Sequence, residues 1–209
     1  MSDVSFKDFD ILSEQDKAEA VALLQRYDQL EKQDGCQKDF ISFIKHMWPD
    51  FIEGRHHKII ADKFNRIADG KLKRLIVCLP PRHSKSEFAS TFFPAWMMGR
   101  RGNLKIIQTT HTAELAVRFG RKVRNIIDST EYQHIFPELK LQADNKSAGR
   151  WTSNQDGEFF AAGVGGAITG RGADLLIIDD PHSEQDALSP KALESAYEWY
   201  TSGPRQRLQ

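Results

Sequence analysis

A lysine flanked by two serines, Lys85 between Ser84 and Ser86, stands where an apolar run from Arg74 to Leu79 gives way, through Pro80, Pro81, Arg82 and His83, to a helix-like segment. Residues of these types in this order suit phosphate binding. In the pattern G-x-x-x-x-G-K-[ST], backbone N–H groups wrap the phosphates, the lysine reaches the outer ones and the hydroxyl ligates Mg²⁺. Leu79 and Ser84 occupy the two glycine positions. A side chain at 84 is expected to push the turn out of the left-handed conformation that glycine tolerates, at a cost of about 1 kcal/mol. The expected phosphate-contacting set is Pro81, Arg82, His83, Ser84, Lys85 and Ser86. Lys85 is its central cation, at a helix start that already favours anions. Ser86 serves as helix cap, metal ligand or both. Arg82 either adds catalytic charge at the γ-phosphate or points to solvent.

Such a loop needs carboxylates near it, and a second apolar run supplies them. Leu175 to Ile178 closes on Asp179, Asp180 and Pro181. Asp179 is the expected Mg²⁺ partner, acting through water. Asp180 is either the base that takes a proton from the attacking water or a shorter stand-in, with the base elsewhere. Two parallel strands ending at one sheet edge would bring these groups together, which is where ligands bind in open α/β sheets. Arg171, in a Gly-Arg-Gly setting, is either an arginine finger acting on a neighbouring subunit's site or a turn residue with no partner.

The elements that must position these residues follow from periodicity and caps. Residues 1 to about 12 read as a loose end. Ser13 caps a helix with Ala20, Leu23 and Leu24 at helical spacing. A second helix runs from Phe40 to Trp48 and stops at Pro49, and a third from His56 to Ala68 ends at Gly70 with Ile59, Ile60, Phe64 and Ile67 on one face. Residues 1–70 are therefore a helical preface to a core at 71–209. In that core, strand Leu75–Leu79, helix Ser86–Met98, strand Leu104–Thr109 and helix Thr112–Ile127 alternate, predicting α/β architecture with a mostly parallel sheet flanked by helices. Cys78, inside the first strand, reads as a small buried side chain. On the helix from Thr112, Leu115, Phe119, Val123 and Ile126 form an apolar stripe. Arg118, Arg121 and Arg124 fall opposite, either as a solvated basic face or as a surface for DNA or another subunit.

Residues Asp128 to Gly157 show no clear period, with Trp151 their one large apolar anchor. A strand Glu158–Ala162 leads into Gly163 to Gly172, where five glycines in ten residues serve either sharp bends and close ligand approach or plain flexibility. A last helix runs from Ser189, with Pro190 in its first turn, through Tyr200. The core is expected to be incomplete at its C-terminal end, because a sheet of this type continues past the carboxylate strand.

At 209 residues, 40% apolar and 28% charged, the chain has the composition of a soluble globular domain. Its formal net charge of zero removes any global electrostatic case for nucleic acid. Two cysteines are too few for a disulfide framework, which favours a reducing cytoplasmic setting. No leader and no apolar run long enough to span a bilayer is visible.

Taken together, these residues resemble the ATPase domain of the tailed-bacteriophage terminase large subunit. The likeness is carried by Arg74 to Glu87, Phe93-Pro-Ala-Trp96, Gly99, Ala113-Glu-Leu-Ala116, Phe119, Phe136-Pro137, Val164 to Asp174 and Asp179-Asp180-Pro181, in order over roughly residues 50–209. It implies a P-loop NTPase fold, with ATP and Mg²⁺ as cofactors and ATP hydrolysis that translocates double-stranded DNA. It also implies a homo-oligomeric ring at the procapsid portal in the host cytoplasm, with portal protein and terminase small subunit as partners. Ser84 departs from the family's more common glycine. The family's coupling motif and nuclease domain lie beyond Gln209, so no DNA cleavage is expected. Two other readings fit the same motifs: a helicase-like DNA-stimulated P-loop ATPase, and an inactive, truncated prophage remnant.

Overall fold

The computed structural model describes residues 13–168 and 170–208, so the expectation for residues 1 to 12 lies outside the described residues. Three helices come first: α1 Glu14–Lys38, α2 Phe40–Met47 and α3 Arg55–Ala68. Each begins where local chemistry dictates. Ser13 accepts the Asp16 N–H, Asp39 accepts the Ser42 N–H, and the His57 ring accepts the Gly54 N–H. Gly70 turns the chain out of α3 with φ of 74°. On α3 the buried face is Ile60, Ala61 and Phe64, while Ile59, expected on it, is exposed. α1 forms as its cap and spacing predict, but its apolar residues stay largely open. Leu23 and Leu24 are each 61% exposed, and the helix buries only Cys36, near its last turn.

Next comes an extended stretch, 72–80, that joins no strand ladder. The predicted strand Leu75–Leu79 is thus corrected to a lone extended segment. Leu75, Val77 and Leu79 pack on the core, whereas Ile76 is 90% exposed and Cys78, expected to be buried, is exposed. A period of two puts alternate side chains on opposite faces, and here only one face is covered.

From Lys85 the chain is helical to Arg100, but not uniformly so. A π-helical turn, Glu87–Phe92, closes with the Phe93 N–H donating to Phe88 O five residues back, and α4 Phe93–Arg100 follows. Then come β1 Lys105–Thr110, α5 Ala113–Ile127, α6 Thr130–Ile135, β2 Leu141–Lys146, β3 Arg150–Ser153, β4 Glu158–Gly163, β5 Leu175–Ile178 and α7 Pro190–Ser202. α6, β2 and β3 occupy the stretch that has no visible period in the sequence.

The sheet has five strands in the order β2-β3-β4-β1-β5. β1 pairs in parallel with both β4 and β5, while β3 runs antiparallel to β4 and to β2. The sheet is therefore mixed: three parallel strands extended on one side by an antiparallel hairpin. Trp151 anchors that hairpin, fully buried and stacked on Phe159 with centroids 4.9 Å apart.

One apolar cluster holds most of the core and includes residues from both sides of position 70. Phe40, Phe43, Ile60 and Phe64 share it with Phe88, Trp96, Ile106, Val123 and Phe159. Phe40 alone contacts the rings of Phe64, Phe88, Phe93 and Trp96. Two buried ring donors within it are satisfied: Tyr132 Oη donates to Ala95 O, and Trp96 Nε1 to Cys36 O, both at 2.8 Å. The opposite sheet face carries a smaller cluster, Ile107, Ala162, Ile168 and Ala173. Gly163 ends β4 hard against the start of α5, where a Cβ would lie 2.6 Å from Ala113 N. This glycine answers to close packing rather than flexibility.

Candidate nucleotide site at the carboxyl edge of the sheet

β1, β4 and β5 all run the same way, so their carboxyl ends share one edge. Asp179 and Asp180 follow β5 directly at that edge, and their backbone is tied to β1. Asp179 N–H donates to Thr109 O at 2.9 Å, and His111 N–H to Asp180 O at 3.2 Å. Lys85 meets them there. Its Nζ lies 2.5 Å from Asp180 Oδ1 and 3.9 Å from Asp179 Oδ1. The two motifs that the sequence places far apart therefore converge on one ammonium group.

Burial separates the two carboxylates. Asp179 is 6% exposed, while the Asp180 side chain is 63% exposed. Ser90, wholly buried, donates its hydroxyl to Asp179 Oδ2 at 2.9 Å. Partial burial by itself pulls the Lys85 ammonium down. The hydrogen bond and charge of Asp180, with Asp179 behind it, outweigh that pull and leave its pKa above the ordinary lysine value. Lys85 is thus a firmly held cation whose partner sits on the open side of the site.

The loop before it is strained. Arg82 and Ser84 have φ of 63° and 59°, and Asp180 has 43°. Ser84 keeps the left-handed conformation that glycine adopts, so the expected push out of that region is corrected: the serine bears the strain, about 1–2 kcal/mol, and leaves the turn intact. The turn also hands its carbonyl to the helix, with Phe88 N–H donating to Ser84 O at 2.9 Å. Pro81, Arg82 and His83 are exposed. His83 Nδ1 lies 2.9 Å from Pro81 O, which requires the proton on Nδ1. Arg82 makes no ion pair among the described residues. Ser86 follows Lys85 in right-handed helical conformation at the start of the π-helical turn, half-buried.

Arg171 lies elsewhere. It pairs with Glu158, the first residue of β4, and its guanidinium sits 4.0 Å from the Phe160 ring centroid. Glu158 and its β1 partner Lys105 mark the amino edge, so within one chain Arg171 is remote from Lys85. Arg118 and Arg121 are exposed on α5. Asn125 accepts from Arg124 at 3.3 Å.

One group escaped sequence reasoning. Ser90 was signalled only by a Ser-Thr pair inside a phenylalanine-rich stretch. His56 and His57 lie at the start of α3, in the stretch Arg55 to Lys58 that the sequence leaves open as an approach to the nucleotide base, with neither residue singled out. In the fold the His56 ring lies 5.5 Å from the His83 ring. His57 is held below its ordinary pKa of 6.5 by burial first, then by the neighbouring His56 and His83, with Glu53 opposing.

Among the described residues no cluster of three or more His, Cys, Asp and Glu could hold a metal. The oxygen donors at the carboxyl edge, one hydroxyl and one carboxylate, nevertheless suit Mg²⁺, which takes one or two protein ligands and fills the rest with phosphate and water. A cavity of ≈ 430 Å³ lies between α1 and the 136–139 segment, lined by none of these residues. No helix among the described residues is long and apolar enough to cross a membrane. No protein-family model matches the chain, and no curated protein is similar to it.

Proposed function

We propose that the Lys85, Asp179 and Asp180 group is the nucleotide site of an ATP-hydrolysing motor domain of the terminase large-subunit type, on a P-loop NTPase fold. The supporting observation is the convergence of Lys85 Nζ on both carboxylates at the carboxyl ends of parallel strands. An ammonium facing two acids beside a left-handed turn at a helix start is the arrangement a triphosphate requires.

In this reading the Pro80–Ser86 turn offers backbone N–H groups to the phosphates, and Lys85 exchanges Asp180 for the outer phosphate oxygens. That exchange frees Asp180, on the exposed side, to accept a proton from the attacking water. Ser86 and Asp179 would hold Mg²⁺, which when bound neutralises charge on the β- and γ-phosphate oxygens. Arg82, exposed on the loop, is available to the γ-phosphate. Arg171 would act only on a neighbouring subunit, after release from Glu158. The resemblance to terminases adds double-stranded DNA as the object moved, portal protein and small subunit as partners, a ring of subunits and the host cytoplasm as the setting. The helicase-like reading draws no observation of its own; the inactive reading draws one, the failure of Leu75–Leu79 to join the sheet, and Ser84 holding the glycine-like turn counts against it.

Mg-ATP titration of the wild type and Lys85→Ala tests this. A hydrogen bond to a charged group is worth about 1.5–3 kcal/mol, so the variant should bind at least ~10-fold more weakly, measured below its own melting temperature. Equal binding by the two proteins would overturn the site. Hydrolysis stimulated by duplex DNA, rather than by single strands, would separate the packaging motor from a helicase-like enzyme.

A further inference from the structure

Asp179 is almost fully buried, and a buried carboxylate must be supplied with donors or lose its charge. One donor comes from neither motif. Ser90 Oγ donates to Asp179 Oδ2 at 2.9 Å, while Asp179 Oδ1 is the oxygen 3.9 Å from Lys85. The two oxygens therefore have separate assignments. Serine inside a helix ordinarily bonds back to a carbonyl four residues earlier. Ser90 instead reaches a carboxylate 89 residues away in sequence. It does so from the π-helical turn Glu87–Phe92, and such widened turns recur at functional sites. Ser90 and Thr91 are both buried, at 0% and 2% exposure, in a stretch otherwise filled by Phe88, Phe92 and Phe93.

We propose that Ser90 is a positioning residue of the nucleotide site: its hydroxyl fixes the Asp179 carboxylate so that Oδ1 faces the magnesium-bound triphosphate. This rests on the reading of the site given above. Without the hydroxyl, Asp179 is free to rotate and turn both oxygens toward the Lys85 ammonium, which removes the carboxylate from the metal and the lysine from the phosphate.

The test is binding of a fluorescent ATP analogue by the full chain, titrated with MgCl₂, for the wild type, Ser90→Ala, Ser90→Cys and Ser90→Thr. Loss of a residue that orients a metal ligand costs about 10–100-fold in metal affinity. Ser90→Ala should therefore need at least ~10-fold more Mg²⁺ for half-saturation, with magnesium-free binding close to wild type. Ser90→Thr, which keeps the hydroxyl, should restore the wild-type Mg²⁺ requirement. Should Ser90→Ala fail to fold, the near-isosteric Ser90→Cys, a weak donor, gives the same readout. An unchanged Mg²⁺ requirement in the alanine or cysteine variant overturns the proposal, as does an equal loss in alanine and threonine variants, which marks a packing role. Absence of nucleotide binding by the wild type would overturn the site itself, a separate result from failure of Ser90 alone.

Discussion

At the amino edge of the sheet one anion, Glu158, lies between two cations, Arg171 and Arg150; at the carboxyl edge one cation, Lys85, lies between two anions, Asp179 and Asp180. The charge patterns mirror each other, yet the surroundings do not. Around Glu158 the backbone is regular strand, and Arg171 rests on the Phe160 ring. Around Lys85 three non-glycine residues, Arg82, Ser84 and Asp180, hold positive φ; the other such residue among those described, Asp156, belongs to the turn between β3 and β4. His111 Nδ1 and His182 Nε2, flanking Asp180 in the fold and the chain, are buried with no hydrogen-bond partner among the described residues. Backbone strain of this kind is found at functional sites more often than in regular strand. The same kind of ion cluster thus sits on regular strand at one edge and beside strained turns at the other.

Replacing the acid on each side should separate the two edges most sharply. Asp180→Asn should lower ATP hydrolysis by about 10²–10⁴-fold, the usual worth of a positioned base, while nucleotide binding holds or tightens because Lys85 loses its competitor. Steady-state turnover and titration together check this, and wild-type turnover would place the base elsewhere. The strained turn comes next. Ser84→Val, with a branched side chain at positive φ, should destabilise the chain by about 1–2 kcal/mol and weaken nucleotide binding, whereas Ser84→Gly should do neither; denaturant melts and titration read both. Glu158→Gln should cost about 1 kcal/mol, given that the cluster is partly exposed and screened, and leave nucleotide affinity unchanged. A loss of affinity there would couple the edges that the fold keeps apart.

The smallest effect is one of pH. His57 titrates below its ordinary value of 6.5 because burial disfavours its charged form. Folding therefore gains from neutral His57 above the unfolded pKa and loses that gain as pH falls through the lowered one. Thermal midpoints should drop between pH 7 and 5, and His57→Gln should flatten part of that slope.

Much of this molecule was legible in its residue order. Ser13, Thr112 and Ser189 cap helices as their side chains suggest, and the three parallel strands fall within a residue or so of the apolar runs that announce them. The meeting of Lys85 with Asp179 and Asp180 was legible too, although the expected reason, two parallel strands ending at one edge, holds only for β5, since Leu75–Leu79 joins no ladder. What escaped depends on partners that a local pattern does not name. Leu75–Leu79 has strand composition but no ladder. The hairpin of β2 and β3 has a ladder but little apolar signal beyond Trp151. Leu23 and Leu24 have helical spacing without a surface to cover them. Ser90 gained its role only when a π-helical turn aimed it at a carboxylate far along the chain.

The most direct test is a structure of the chain with Mg²⁺ and a non-hydrolysable ATP analogue. The triphosphate should lie in the Pro80–Ser86 turn, with Lys85 Nζ withdrawn from its 2.5 Å contact with Asp180 and bonded to phosphate oxygen. Nucleotide bound elsewhere, or bound with the Lys85–Asp180 contact intact, would contradict the account.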